Sequence, residues 1–93
     1  MPRGKKTIAS KILKDLEDES DEEGNFLVFY DFTGKASFYF YKNLKVIQVF
    51  LQDGERIQKS VIQCKRLKTA RAIKILAERY EASVLLFKVE PME

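Results

Sequence analysis

Phe26-Leu27-Val28-Phe29-Tyr30-Asp31 is an apolar run closed by a single carboxylate. Phe, Val and Tyr favour extended backbone, and a near-continuous apolar run of this length suits a central strand covered on at least one face. Such a strand holds its last residue rigidly at the sheet edge, where water first reaches the chain. An Asp in that place has two uses. It can bind a metal ion, or it can begin a turn, because its short side chain bonds easily to nearby backbone groups. The six residues leave both readings open.

Downstream, Thr33-Gly34 signals a turn, and the next segment carries two patterns at once. Ser37 to Tyr41 reads as strand, yet Phe40, Leu44, Ile47 and Leu51 recur at helical spacing and Asp53-Gly54 is a stop signal. The stretch is long for one strand, which favours the helix. Glu55 to Gln63 then reads as strand, with a bend near Lys59 and Ser60 able to divide it in two. Leu67, Ala70, Ile73, Ala77 and Tyr80 trace a helical face over about Lys68 to Glu81. Ser83 to Val89 is the closing strand, ended by Pro91, which cannot donate to a ladder.

Upstream, the division falls near Gly24, giving an N-terminal arm over residues 1–24 and a domain over 25–93. Thr7 or Ser10 can cap a short helix with Ile8, Ile12, Leu13 and Leu16 on one face. Its charges oppose the helix dipole, since lysines come early and Asp15, Glu17, Asp18 and Glu19 come late. The arm is expected to dock through its apolar stripe or to be partly disordered, with the acidic stretch as a solvated linker. Those acids can also shield a basic surface. The leading MPRGKK is basic, but no apolar stretch of signal-peptide or membrane-spanning length follows, so a cytoplasmic location with no membrane partner is expected.

Ninety-three residues make one small domain with a modest core. One cysteine and no histidine leave oligomerisation as the expected source of extra stability. Cys64 reads as a packing residue in a reducing compartment. Charge is uneven. Residues 15–23 hold seven acids in nine positions, whereas residues 35–79 hold eleven Lys or Arg against three acids, so the body attracts phosphate backbones. Lys35, Lys42, Lys45, Arg56, Lys59, Lys65, Arg66, Lys68 and Arg71 are the candidate nucleic-acid contacts. Four consecutive aromatics, Phe38 to Tyr41, cannot all enter a core from one helix; two should face outward or into an interface, or serve as stacking platforms for bases.

The order of elements is the α+β, ferredoxin-like βαββαβ plan with an N-terminal helical arm. Within it FLVFYD at 26–31, ERIQKSVI at 55–62 and VLLFKVEP at 84–91 resemble, in order and spacing, the smaller of the two universal CRISPR adaptation proteins. The resemblance implies a homodimer in which the aspartates ending the two first strands face one another. Members of that family have been credited with metal-dependent phosphodiester cleavage, and in spacer acquisition the dimer holds duplex DNA between integrase subunits. Asp31 matches the family aspartate and is the candidate catalytic and metal-binding residue. Arg56, Gln58, Lys59 and Ser60 match the central motif.

Two departures stand out. Ile62-Gln63-Cys64 occupies positions where the family often has an aromatic residue and an acid, and Pro91-Met92-Glu93 follows a last strand that the family commonly extends toward the partner or the integrase. A CRISPR integrase subunit is therefore a conditional partner, with the acidic arm able to replace some of that contact. One aspartate per chain cannot build a site for Mg2+ or Mn2+, whereas two, with phosphate oxygens, can. Two other readings stay open: a non-catalytic scaffold that binds DNA or RNA, and a protein like the ribonuclease toxins, outside a CRISPR system, whose arm docks on another protein.

Overall fold

The apolar run lies inside the sheet of this computed structural model, which describes residues 7–90 and residue 92. The strand it belongs to, β1 (Glu23–Asp31), pairs antiparallel with β3 (Val61–Arg66) on one side and β4 (Ser83–Val89) on the other. β2 (Glu55–Gln58) pairs with β3 across a turn at Lys59-Ser60, so the bend in the sequence does divide two strands. The strand order is β2-β3-β1-β4. With α2 (Phe38–Leu51) after β1 and α3 (Leu67–Arg79) after β3, the architecture is the expected α+β plan, compatible with a ferredoxin-like fold. Pro91 and the MPRGKK segment lie outside the described residues.

The ambiguous segment is helix. Ser37 caps it, its Oγ accepting from Tyr39 N–H at 3.0 Å, and Phe40, Leu44 and Ile47 are buried while Leu51 is half-buried. The periodicity won because its four apolar residues all face the core. The helix closes through Gln52 in the left-handed region at φ 53°, followed by Gly54 at φ 99°. A β-carbon on Gly54 would lie 3.3 Å from Ile73 Cδ1, so both conformation and space select glycine there. Asp53, between them, accepts the β3 amides of Lys65 and Arg66 at 2.9 to 3.0 Å. Arg66 Nη2 donates to the Leu51 carbonyl at 2.6 Å, satisfying the last turn of α2.

The N-terminal helix, α1 (Ile8–Leu16), is capped by Thr7 and forms despite its unfavourable charge order. Ala9, Ile12 and Leu16 are at most 3 % exposed and share one core with the sheet and the other two helices. Burying an Ile or Leu side chain contributes about 1.5–3 kcal/mol, against about 0.3–1 kcal/mol for a charge at a helix end, so packing decides. The amide of Ala9 donates to Asn43 Oδ1 of α2 at 2.9 Å, adding a polar latch. The apolar stripe therefore docks on the chain's own α2 and α3, which removes the motive for docking it on another protein.

The acidic stretch is exposed but bound. Asp21 accepts the Lys68 amide at 2.8 Å, capping α3 from 47 residues away, and the Leu67 amide donates to the Glu22 carbonyl at 2.8 Å. Residues 15–23 thus strap α1 to the start of α3, and the last of them, Glu23, already belongs to β1.

Candidate functional site

Alternation along the strands gives the sheet two unlike faces. Phe26, Val28 and Tyr30 of β1, with Ile62 and Cys64 of β3, point into the core beneath the helices. Leu27, Phe29 and Asp31 point the other way. Register puts Phe29 between Val61 and Leu85, Leu27 between Gln63 and Phe87, and Asp31 beside Ser83. Phe29, Leu85 and Phe87 are 37, 61 and 47 % exposed, and the Phe29 and Phe87 rings meet edge-to-face at 5.6 Å. No described helix covers this face, so its apolar stripe is open to a partner.

Asp31 ends that stripe. Its side chain is exposed and accepts no hydrogen bond among the described residues, so the backbone bond that the turn reading offers it is not made. It borders a depression of about 540 Å³ lined also by Phe29, Tyr30, Ser60, Val61 and Leu85. Beneath, Tyr30 is buried and donates its hydroxyl to the Lys59 carbonyl at 3.2 Å; burial pushes its phenol up, with the Arg56 charge acting against the rise. The same carbonyl accepts Arg56 Nε and Nη2 at 3.1 and 3.0 Å, while the Arg56 guanidinium lies 5.1 Å from the Tyr41 ring centre. Arg56 thus closes the β2–β3 turn. Among the described residues no three His, Cys, Asp or Glu side chains gather as a metal group.

The nine candidate phosphate contacts divide by what they touch. Arg66 reaches Asp21 at 3.4 Å, Arg71 pairs with Glu19, and Lys68 Nζ donates to the Glu17 carbonyl at 3.3 Å. Lys88 pairs in the same way with Glu22, which holds its ammonium above the usual lysine range. For Asp21, partial burial disfavours the ionised form, but the amides of Lys68 and Glu22 and the charges of Arg66 and Lys68 together hold the carboxyl below its usual range. Lys65 lines two shallow depressions shared with Glu23, Asp53 and Glu55. Lys59 lies at the β2–β3 turn and is exposed.

Lys35, Lys42 and Lys45 stand apart from these. They are exposed, none meets a carboxylate among the described residues, and residues 32–52 contain no acid. Of the four aromatics beside them, Phe40 is buried and Tyr41 half-buried, while Phe38 and Tyr39 are 69 and 61 % exposed, the two-in, two-out division expected.

No protein-family model, curated protein or solved structure matches the chain. Any functional reading therefore rests on the residues themselves and their placement. No described helix is long and apolar enough to cross a membrane. Cys64, on the core face of β3, is fully buried, and burial with the nearby Asp53 charge pushes its thiol up to about 12, so it packs rather than reacts. Asp21 carried no signal for its cap on α3, and Asp53, legible only as part of the Asp53-Gly54 stop, carried none for its bonds to β3, because those partners lie 12 to 47 residues away.

Proposed function

We propose that the chain is a cytoplasmic nucleic-acid-binding homodimer of the CRISPR spacer-acquisition type, closed by packing the open sheet faces of two copies together. The observation that carries this reading is the apolar stripe formed by exposed Phe29, Leu85 and Phe87 with half-buried Leu27 and Val61, ending at Asp31, whose carboxylate accepts no hydrogen bond among the described residues. A small domain gains most from burying such a stripe, and a two-fold axis near Asp31 would bring two carboxylates into one oxygen-rich site. Those two side chains would hold Mg2+ or Mn2+, which when bound supplies Lewis-acid activation of water and neutralises charge on phosphate. The chain itself contributes cations for the phosphate backbone, Lys35 and Lys59 among them, and no histidine to serve as a general base.

A non-catalytic scaffold is the second reading, favoured by the single carboxylate per chain; a ribonuclease-toxin-like protein outside a CRISPR system would use the same carboxylate pair. The deciding experiment measures solution mass for wild type and Leu85→Lys, with cleavage of single-stranded RNA and duplex DNA by wild type and Asp31→Asn, with and without magnesium or manganese. A dimer dissolved by Leu85→Lys, with metal-dependent cutting lost in Asp31→Asn, supports the nuclease. A dimer that binds and never cuts is the scaffold. A monomeric wild type overturns the proposal.

A further inference from the structure

The N-terminal half of α2 carries chemistry that neither the sheet face nor Asp31 uses. Phe38 and Tyr39 stand exposed at its first turn, their rings edge-to-face at 5.6 Å. Exposed aromatic pairs are costly to leave in water without a use, and these two contribute nothing to the core. Lys42 Nζ lies 5.8 Å from the Phe38 ring centre, one helical turn on, and Lys45 follows at the next turn of the same stripe. Lys35 precedes the helix by three residues. The first turn holds no acid, so the positive end of the helix dipole adds to the lysines uncompensated.

We propose that this surface binds single-stranded nucleic acid, with the Phe38 and Tyr39 rings as stacking platforms for unpaired bases and Lys35, Lys42 and Lys45 as contacts to the phosphates. The inference rests on the nucleic-acid reading above for its class of partner, and not on the dimer or the metal. Charge complementarity selects the occupant. A row of cationic side chains beside flat π-faces fits a polyanion with exposed bases, whereas a duplex hides its base faces and would use the lysines alone. Farther along the helix the exposed residues become Val46, Val49 and Phe50 and α2 carries no further cation, so its lysine stripe ends at Lys45; the depression beyond, beside Val46 and Phe50, has Lys14 offset by Glu17.

The chain contains no tryptophan, which makes Phe38→Trp a single optical reporter. Oligothymidylate of about 12 nucleotides and a blunt duplex of equal length serve as probes. Quenching of the introduced indole by the oligothymidylate, with about tenfold or greater loss of its binding in Phe38→Ala/Tyr39→Ala, is expected. Duplex binding by that double variant should be unchanged, and both residues are exposed enough that the fold survives. Lys42→Gln/Lys45→Gln should flatten the single-strand salt slope by about 0.7 per lysine. A silent indole, or full single-strand affinity in the double alanine variant, overturns the proposal and would leave α2 as a surface for a protein partner. Duplex binding or Asp31-dependent cleavage that persists beside such a result would leave the proposed function intact; failure to bind either probe would remove both.

Discussion

Two helices of this chain begin with basic residues in opposite circumstances. At the start of α3, Arg66, Lys68 and Arg71 meet the chain's own acids or carbonyls, brought there by residues 17–22. Around the start of α2, Lys35, Lys42 and Lys45 meet no acid among the described residues, and the Lys42 ammonium lies over an aromatic face. Counted along the sequence, the two sets are equal. In space, the first is already held by the chain's own carboxylates or a carbonyl and the second meets no such oxygen among the described residues, so of the two sets only the second can meet a phosphate backbone without first giving up an ion pair or hydrogen bond.

The strap that creates this difference depends on α1, and breaking α1 should have the largest effect. Ile12 is 2 % exposed in the shared core, so Ile12→Ala should destabilise the fold by about 2–5 kcal/mol, read by denaturant unfolding. Phe38→Ala should change stability little. Cys64 labelling gives a second readout: the raised thiol stays unreactive in the native state at neutral pH, and its labelling should accelerate only in the Ile12 variant. Equal stability of Ile12→Ala and wild type would show that α1 is an appendage.

Removing the strap's charge without removing the strap comes next. Glu19→Gln/Glu22→Gln leaves the Asp21 cap in place and should release Arg71 and Lys88, raising nucleic-acid affinity several-fold at low salt and steepening the salt slope by roughly one to two units. An unchanged slope would mean that these cations were never in reach of the nucleic acid.

The contrast itself can be measured with paired losses. Lys42→Gln/Lys45→Gln should flatten the slope for single strands by about 1.4, while Arg71→Gln, whose charge already has a partner, should leave it nearly unchanged. Reversal of that order would place the working surface on α3.

Local patterns were legible in the sequence and remote partnerships were not. FLVFYD reads as a central strand because strand propensity and burial act on the same residues, and α2 emerges from Phe40, Leu44, Ile47 and Leu51 because a helical period survives a β-prone composition. The Lys59-Ser60 turn and the span Ser83–Val89 followed in the same way. The acidic stretch could be seen only as a solvated linker able to shield a basic surface. Its bonds from Asp21 to Lys68, Glu19 to Arg71 and Glu22 to Lys88 join residues 47 to 66 positions apart, which no window along the chain displays. Arg56 and Arg66, read as phosphate contacts, also close a turn and terminate a helix through backbone carbonyls, roles that their sequence neighbourhood did not display. The candidate Asp31 was visible for a geometric reason: the end of an apolar strand fixes where a side chain emerges.

The smallest expected effect tests whether Asp21 holds the strap by charge. Its carboxyl lies below the usual range when folded, so ionised Asp21 contributes stability above its unfolded pKa of about 3.8. That contribution is lost as pH falls through the lowered folded value, because protonation weakens acceptance from the Lys68 amide and attraction to Arg66. Unfolding measured between about pH 2 and 5 should therefore show a shallower acid limb in Asp21→Asn than in wild type, with the curves parallel at neutral pH. Asn keeps an oxygen for the cap, so a variant limb as steep as wild type would assign the strap to hydrogen bonding and leave the α3 cations less fully compensated than those contacts imply.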